Sequence, residues 1–304
     1  MKVLVTGGAG FIGSHLVRKL LVEGCQVVVL DNLSTGLRSN LPADCDLIQM
    51  DIGDAHLGEV FAEGRFDMVV HLAGQTTVEM SLRDPELDAM SNIMGTVNVL
   101  EAARKNGVKR IVFASTAAAY GDAADLPIKE ATPVSPQSFY GQSKVTAEAY
   151  IGLYKKFFGL DYVILRFANV YGERQGDGGE GGVISIFAKR IAQGEKITIY
   201  GDGEQTRDFI YAGDIAAGIY GALCTDKVNA VYNLSTQTEV SVKELVGILM
   251  NVARKHIVPE YGPARSGDIY HSMLSNGRAK KYLAWKPITP LEEGLHRTYM
   301  HFVK

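Results

Sequence analysis

Cysteine is scarce in this chain, and its placement argues against two kinds of protein. Cys25, Cys45 and Cys224 are far apart, form no C-x-x-C pair and have no histidine pattern beside them. Zinc sites and disulfide frameworks need closely or regularly spaced cysteines. We therefore expect reduced, mostly buried thiols. The histidines also lack ligand spacing, so no metal is assigned.

Long hydrophobic runs and a strong charge of one sign are both missing. No apolar run approaches the roughly 20 residues that a membrane helix needs, and the first residues already read as a core strand. The net charge is −3, with both signs mixed along the chain. Such a chain has no field that recruits nucleic acid or anionic lipid. We expect no nucleic acid, no membrane partner and, by default, a cytoplasmic location.

What the chain does have is a glycine-rich turn, TGGAGFIG, from Thr6 to Gly13. It follows a short apolar strand and precedes a helix. In that place glycines let the backbone approach a pyrophosphate, and the helix N-terminus offers free amides. Two patterns fit: G-x-G-x-x-G through Gly8, and G-x-x-G-x-x-G through Gly7, both continuing through Gly10 and Gly13. The turn predicts a dinucleotide site.

A carboxylate follows the second predicted strand. Gln26 to Leu30 reads as a strand. Asp31 stands at its end, about 20 residues beyond the turn, where it can accept hydrogen bonds from ribose hydroxyls. A carboxylate repels a 2′-phosphate, and the nearest arginine is Arg38. The pattern favours NAD over NADP. The alternative is that Asp31 only caps a helix or a turn.

Apolar strands alternate with helical segments through the first half of the chain. This is typical of an α/β fold with a doubly wound parallel sheet, or Rossmann-type fold. We predict a dinucleotide-binding domain over residues 1–168 and a smaller C-terminal α/β substrate lobe over 169–304, with some later segments returning to the first domain. The predicted sheet strands are 3–5, 27–30, 47–50, 68–72, 111–113 and 162–165; the lobe strands are 197–200, 208–211 and 231–234, and its helices 183–193 and 242–254.

Glycine is concentrated in GDGGEGG, residues 176–182. A stretch of this composition predicts a mobile loop rather than core, and whether it closes over a substrate is left open.

The segment YGQSK carries the candidate chemistry. Tyr140 and Lys144 are four residues apart, so they share one face of a helix. An ammonium group and a positive nicotinamide would stabilise the tyrosine phenolate, which makes Tyr140 a base and acid near neutral pH. Y-x-x-x-K alone occurs by chance in many helices. The combination with the glycine turn, Asp31 and FASTAAAYG (113–121) makes chance improbable.

These motifs together resemble the extended short-chain dehydrogenase/reductase superfamily, and within it the nucleotide-sugar epimerases, most closely the UDP-glucose 4-epimerases (UDP-galactose 4-epimerases). The resemblance spans nearly the whole chain. Further matching segments are residues 51–52, 71–75, 84–85, 92, 95–96, 165–172, 201–211 and 265–268.

The resemblance implies roles for particular residues. Catalysis falls to Thr116, Tyr140 and Lys144. The cofactor NAD is contacted by Gly7, Gly10, Phe11, Ile12, Asp31, Asn32, Ser34, Thr35, Gly36, Asp51, Ile52, Leu72, Ala73, Gly74, Gln75, Asn92, Tyr140 and Lys144. A UDP-sugar substrate is contacted by Thr116, Tyr140, Asn169, Val183, Thr198, Tyr200, Arg207, Arg265, Asp268 and Ser272.

The arginines also suggest an anion site without the resemblance. Arg207 and Arg265 lie on separate segments, and guanidinium groups on both suit the oxygens of a diphosphate. The alternative is a surface ion pair between Arg207 and Asp208.

The implied reaction is epimerisation at C4 of a UDP-hexose. Tyr140 takes the proton of the C4 hydroxyl, the C4 hydride passes to NAD, and a 4-keto sugar turns over before the hydride returns. Related 4,6-dehydratases carry Asp-Glu where this chain has Ala117 and Ala118, and related decarboxylases a Glu at Ala118. Those activities are the alternative, and a non-catalytic NAD sensor is a remote one. Glu173 replaces a proline that is frequent in these families, and Ser275 replaces a frequent aspartate. The resemblance therefore does not predict the geometry of these two loops.

Two further expectations concern assembly and specificity. The helices around residues 86–105 and 142–158 predict a homodimer. The second has two apolar stripes, so that one can pack on the sheet and the other on a partner: Val145, Ala149 and Leu153, and Tyr150, Tyr154 and Phe157. In the UDP-glucose 4-epimerases, the position matching Ser272 borders the sugar's C2 substituent. A serine there predicts that N-acetylated UDP-sugars also fit. The alternative is that Tyr270, two residues earlier, occupies this position beside the C2 substituent, which we call the gate.

Overall fold

The fold is built on a seven-stranded parallel sheet. The computed structural model describes residues 1–176, 181–264 and 269–303. The sheet strands are β1 Lys2–Thr6, β2 Gln26–Asp31, β3 Asp46–Gln49, β4 Met68–His71, β5 Arg110–Thr116, β6 Asp161–Phe167 and β11 Ala230–Leu234. Their order across the sheet is β11-β6-β5-β4-β1-β2-β3, so the chain reverses direction across the sheet between β1 and β4. Ligands bind at such a switch point, beyond the carboxyl ends of the strands.

Helices connect these strands and cover the sheet. They are α1 Phe11–Val22, α2 Leu57–Gly64, α3 Val78–Arg83, α4 Pro85–Ala89, α5 Gly95–Lys105, α6 Phe139–Phe158 and α8 Ala212–Cys224. A π-helical turn, Met90–Met94, joins α4 to α5, and short 3₁₀ turns occupy Arg38–Asn40 and Ala117–Ala119.

The C-terminal part forms a smaller lobe with its own core. Its strands pair two by two: β10 with β7 and β13 with β8 in parallel, β12 with β9 antiparallel. The strands are β7 Asn169–Tyr171, β8 Thr198–Tyr200, β9 Thr206–Arg207, β10 Phe209–Tyr211, β12 Val240–Ser241 and β13 Glu260–Gly262; the helices are α7 Val183–Gln193, α9 Val242–Ala253, α10 Gly277–Tyr282 and α11 Leu291–Val303.

Successive side chains of β1 pack on opposite faces of the sheet, which explains why the strand is apolar throughout. Val3 and Val5 pack into one buried cluster with residues of α1, whereas Leu4 packs into a second cluster with residues of α5 and α6. Successive strand residues point to opposite faces. Both faces are therefore covered, which confirms the predicted doubly wound sheet.

The six strands predicted for the sheet are all present, and their ends agree within three residues. Residues 231–234 were assigned to the lobe, but the segment is β11 and pairs with β6 at the sheet edge. In α6 the sheet-facing stripe is Lys144, Ala147, Ile151 and Tyr154, and the Val145, Ala149, Leu153 side faces outward. Within the described ranges, no helix is both long and apolar enough to cross a membrane.

Candidate active site

A continuous cavity of about 1360 Å³ runs along the carboxyl ends of the sheet strands and into the smaller lobe. Most of the predicted site residues line it. These are Gly7, Gly10, Phe11, Ile12, Asp31, Asn32, Ser34, Thr35, Asp51, Ile52, Leu72, Ala73, Gly74, Gln75, Thr116, Tyr140, Lys144, Asn169, Val183, Arg207 and Ser272. The topology thus brings residues from many sequence segments to one place.

The structure of the glycine turn decides which of the two glycine patterns faces the cavity. Gly7, Gly10 and Gly13 line the cavity. Gly8 instead faces the sheet, where an added Cβ would lie 2.7 Å from a methyl group of Val29. Gly7 has φ +71°, and a Cβ there would meet the backbone nitrogen of Ala73 at 2.6 Å. The G-x-x-G-x-x-G pattern is the one the cavity uses.

The start of α1 suits a phosphate group. Gly10 is its N-cap residue and offers no side-chain cap, and no acidic residue stands in the first turn. The first amides of a helix have no intrahelical partner and carry the positive end of the helix dipole. Because this end faces the cavity, the chain fits the pyrophosphate of a dinucleotide there.

Asp31 is held in place by the backbone around it. One carboxylate oxygen accepts from the Ala9 amide and the other from the Leu33 amide, each at 2.9 Å. Each oxygen can accept about two hydrogen bonds, so each keeps capacity for a ribose hydroxyl. Asp31 therefore both ties the strand end to the glycine turn and presents acceptors to the cavity. It caps no helix, although its bond to Leu33 is a turn contact.

The outer wall continues through a second carboxylate. The Asn32 side chain donates to Asp51 at 2.7 Å and accepts from the Ser34 amide and hydroxyl. These contacts order the loop after β2 along the cavity. Gly36 lies behind this wall, where an added Cβ would be 3.0 Å from Asp31 Oδ1, and is not among the lining residues.

Asn92 lies in the π-helical turn, beneath Gly74. Its amide nitrogen contacts Gln75 O, Asp88 Oδ1 and Ser143 Oγ at 3.0–3.1 Å, while its Oδ1 is buried without a hydrogen-bond partner among the described residues. An added Cβ at Gly74 would lie 2.4 Å from that oxygen. Asn92 is thus a buried support of the cavity floor rather than part of its surface.

Thr116, Tyr140 and Lys144 meet at the centre of the cavity. Thr116 ends β5, and Ser138 caps α6 by accepting from Gly141, which places Tyr140 in the first turn and Lys144 one turn later. Thr116 Oγ1 accepts from the Ala118 amide at 3.1 Å, so its hydroxyl hydrogen is free to donate. It hydrogen-bonds the Tyr140 phenol.

Burial is the largest influence on the pKa values of Tyr140 and Lys144. It raises the pKa of Tyr140, and the Thr116 hydrogen bond opposes the rise. It lowers the pKa of Lys144 to about 8, against the carboxylates of Asp88 and Glu148, which favour the ammonium. In the protein without its cofactor, burial therefore outweighs the groups that favour the phenolate. The lowered tyrosine pKa expected from the sequence depends on the positive charge of a bound nicotinamide in addition to that of Lys144.

A buried histidine links β1 to α5 behind the site. Thr96 Oγ1 donates to Asn92 O at 2.6 Å, so it accepts from His71 Nε2 at 3.1 Å, and His71 Nδ1 accepts from Thr6 Oγ1 at 2.7 Å. Burial, followed by the charge of Lys144, lowers the pKa of His71 to about 3. The ring is a neutral structural link with its proton on Nε2.

A buried ion pair supports α6 from below. Glu148 accepts two hydrogen bonds from Arg166 and one from Ser115 Oγ at 2.5 Å, and the pair is less than a tenth exposed. Arg166 stacks on the Tyr120 ring, 4.7 Å from its centroid. The network ties the helix of Tyr140 and Lys144 to the strand of Thr116.

The structure at the substrate end of the cavity addresses two questions that the sequence left open: whether Arg207 pairs with Asp208, and whether Ser272 or Tyr270 borders the cavity. Asp208 is fully buried and accepts hydrogen bonds from Thr236, Gln237 and Leu274, so it does not form a surface ion pair with Arg207. Ser272 lines the cavity, whereas Tyr270 is half-exposed and its hydroxyl donates to Asp202 at 2.7 Å.

Other predicted substrate residues stand elsewhere. Thr198 and Tyr200 are on β8 and do not line the cavity as described. Arg265 and Asp268 lie outside the described residues, as does most of the predicted loop, residues 177–180.

Sequence reasoning missed part of the wall. Thr76 to Met80 at the start of α3, with Leu82, Leu87 and Met90, line the cavity mouth. Short helices and loops without a periodic apolar pattern leave no such signal in a single sequence. Asp88, Glu148 and Arg166 were missed because charged residues on helices and strands usually face water.

No group of three or more His, Cys, Asp or Glu side chains able to hold a metal occurs in the described part of the chain.

Comparison with known proteins agrees with this geometry. The family described as NAD dependent epimerase/dehydratase matches residues 3–235. A putative UDP-glucose 4-epimerase of Methanocaldococcus jannaschii is 42% identical over 296 residues, 97% of this chain and 96% of that one. A structure of UDP-glucose 4-epimerase from Thermotoga maritima with UDP-glucose has 40% identity and a TM-score of 0.97, covering 99% of this chain and 98% of that one. The Thermus thermophilus UDP-glucose 4-epimerase complex with NAD has 40% identity and a TM-score of 0.93, covering 99% of both chains.

Proposed function

The chain belongs to the NAD dependent epimerase/dehydratase family, and we propose that it interconverts UDP-hexoses that differ in configuration at C4, such as UDP-glucose and UDP-galactose. The observation that carries the proposal is the single cavity. It joins a dinucleotide cradle to the Thr116, Tyr140 and Lys144 cluster and continues to Arg207. Its volume of about 1360 Å³ exceeds the range of roughly 300–1,000 Å³ that holds one small ligand, which suits a cofactor and a nucleotide sugar together.

NAD is the cofactor. The fit rests on three features of the cavity: the uncapped start of α1 for the pyrophosphate, the remaining acceptor capacity of Asp31 for a ribose, and the bare Cα of Gly7 where the backbone must come close. When bound, NAD supplies a hydride acceptor and a positively charged ring.

Tyr140 is the proposed base. Its phenolate oxygen removes the proton from the C4 hydroxyl. It later returns a proton to the C4 oxygen, when the sugar has the opposite configuration at C4. Thr116 donates a hydrogen bond to the phenol and is proposed to contact the C4 hydroxyl of the sugar as well. These two contacts fix the geometry of proton transfer. Lys144 holds a positive charge one helical turn away and stabilises the phenolate.

The sugar must rotate as a 4-keto intermediate for its other face to be reduced. Ala117 and Ala118 line the cavity beside Thr116, and their methyl groups leave space there. Arg207 at the far end is proposed to hold the diphosphate by paired hydrogen bonds, so that the nucleotide remains anchored while the hexose turns. Asn169 and Val183 are proposed neighbours of the same groups, and Thr198, Tyr200, Arg265 and Asp268 remain proposals from the resemblance.

Loss of water from the sugar is disfavoured. A 4,6-dehydratase needs an acid and a base beside the threonine, and Ala117 and Ala118 provide neither. A pure NAD sensor would not need a threonine, tyrosine and lysine converging in the cavity.

The wall at Ser272 favours a broad choice of sugar. A serine occupies less space than a tyrosine, and Tyr270 is held outside the cavity wall by Asp202. Removing a steric block admits a larger group. We propose that the N-acetylated pair, UDP-N-acetylglucosamine and UDP-N-acetylgalactosamine, is accepted alongside UDP-glucose and UDP-galactose.

Exposed apolar residues support a homodimer. Leu87, Met90 and Met94 near α5, and Leu153 and Phe157 on α6, are all well exposed. Large exposed apolar side chains that occur together on two neighbouring helical regions suit an interface. The two helical regions are proposed to pair with those of a second copy. Free Cys25, Cys45 and Cys224 fit a reducing compartment such as the cytoplasm.

A panel of nucleotide sugars tests the function. The purified protein is mixed in turn with UDP-galactose, UDP-N-acetylgalactosamine and a UDP-uronate, and stereochemistry at C4 is followed by proton NMR. We expect the equatorial C4 epimer to accumulate from both neutral sugars. A 4-keto-6-deoxy product would favour a dehydratase, and retained NAD without turnover of any UDP-sugar would favour a sensor.

A further inference from the structure

A cluster of ionisable side chains outside the cavity joins α1 to the smaller lobe. It consists of His15 on α1, Glu173 just after β7, Tyr211 at the end of β10 and Arg297 on α11. The mechanism above uses none of them.

Glu173 is the centre of this cluster. Tyr211 donates to its Oε2 at 2.7 Å, and His15 Nε2 donates to its backbone oxygen at 3.0 Å. The Arg297 guanidinium lies over the Tyr211 ring, 5.4 Å from its centroid. The side chains of His15 and Glu173 are only 9% and 22% exposed, so solvent screens their contacts weakly.

The charges in the cluster are defined at neutral pH. Burial acts to raise the pKa of Glu173, but hydrogen bonds from the backbone and Tyr211 and the charge of Arg174 lower it overall. Burial, then the charge of Arg174, lowers the pKa of His15 to about 4. Glu173 is therefore an anion and His15 is neutral.

One side of the cluster reaches the cofactor end of the cavity. Phe11, which begins α1 and lines the cavity, packs edge to face on His15 with ring centroids 5.8 Å apart. Arg174 Nε donates to Ser14 Oγ on the same helix at 2.8 Å. Arg174 has φ +68°, a left-handed conformation that non-glycine residues rarely adopt. Its hydrogen bond to Ser14 therefore fixes an unusual backbone conformation beside α1.

The other side reaches the substrate end. Tyr211 belongs to β10, and β10 pairs in parallel with β7. Phe209 on β10 and Asn169 on β7 both line the cavity, as does Arg207, two residues before Phe209. The cluster thus contacts the helix that faces the pyrophosphate and the strand pair that faces the nucleotide sugar.

We propose that Glu173 is a positioning residue that couples the binding of NAD to the binding of the UDP-sugar, by holding α1 and the β7–β10 pair in one relative arrangement. The proposal takes the identity of the two ligands from the proposed function. Coupling of this kind is reciprocal: if UDP tightens NAD, NAD tightens UDP by the same factor.

The test measures release of NAD from the holoenzyme with and without saturating UDP. In the native chain, we expect UDP to slow the release at least about fivefold, the lower end of typical coupling between sites. Glu173→Ala removes the acceptor, and Tyr211→Phe removes only the hydroxyl, so each should reduce the effect to less than about twofold. The double variant should lose no more than either single variant, because the two groups act through one contact.

Glu23→Ala is the matched control. Glu23 follows the same helix and pairs with Lys19 at 2.6 Å, away from the cavity, so its loss should leave the UDP effect intact. A lowered melting temperature with undiminished coupling in both Glu173→Ala and Tyr211→Phe would overturn the proposal, as would additive losses in the double variant. A failure of the proposed function looks different: it is an absence of UDP-hexose turnover while UDP still slows the loss of NAD.

Discussion

The ammonium of Lys144 lies 5.0 Å from the centroid of the Phe113 ring, one helical turn beyond Tyr140. The aromatic face offers the buried charge some stabilisation, but it does not replace water. This is why burial lowers the pKa of Lys144 to about 8 despite the carboxylates of Asp88 and Glu148.

This relationship predicts the alkaline side of the pH profile. Lys144 loses its charge as the pH rises through about 8, so kcat/KM should decline above that pH as the phenolate loses its neighbouring cation. Lys144→Arg keeps the charge to a much higher pH and should shift the decline upward by more than about 2 units, at a lower maximal rate. An unshifted decline in Lys144→Arg would assign the titration to another group.

Replacing the proposed base should separate binding from chemistry. Tyr140→Phe should fold and retain NAD while kcat falls on the order of 10²-fold or more, because proton transfer is the lost contribution. Thr116→Val removes one hydrogen bond to the reacting group, worth about 1 kcal/mol or roughly fivefold. Steady-state rates and the nicotinamide absorbance of the purified variants measure both. A nearly active Tyr140→Phe would remove Tyr140 from the base role.

The choice of sugar should depend on the residue at 272. Ser272→Tyr is expected to reduce kcat/KM for UDP-N-acetylgalactosamine at least about 100-fold, because the ring fills the space of the acetyl group, while UDP-galactose turns over within about threefold of the native rate. Tyr270→Ala is the matched comparison and should leave the ratio of the two sugars unchanged. If the native chain rejects the acetylated sugars and Tyr270→Ala admits them, Tyr270 is the gate.

The apolar surface should be covered by a second copy. Light scattering at micromolar concentration should give twice the 33.0 kDa chain mass. Leu153→Glu on the exposed side of α6 should shift the mass towards one chain, because it introduces an unpaired charge into the interface. Val258→Glu is the control, because it places the same charge at an apolar residue that is 74% exposed and lies outside both helical regions. A native protein with the mass of one chain would contradict the proposed dimer.

Much of the fold follows from the sequence because its signals are local. Val3 to Val5 and residues 27–30 are continuous apolar runs, and such runs identify strands buried on both faces. Residues 231–234 show the limit of this reasoning. The run identifies a strand, but only the pairing with β6 decides that it belongs to the main sheet.

The candidate site shows the same division. The glycine turn, Asp31 and the Tyr140, Lys144 spacing are short patterns with a local physical cause. Glu148 and Arg166 are ordinary charged residues until the fold buries them against each other, 18 positions apart. The π-helical turn that carries Asn92 likewise has no periodicity of its own, because one turn is too short to establish one.

The central claim is that one hydride leaves C4 of the sugar and returns to the same carbon within a single cavity. UDP-galactose deuterated at C4 tests it directly, with the product analysed by NMR and mass spectrometry in ordinary water. We predict UDP-glucose that retains the deuterium at C4. Loss of the label to solvent, or transfer of the label to a nicotinamide released into solution, would contradict the account.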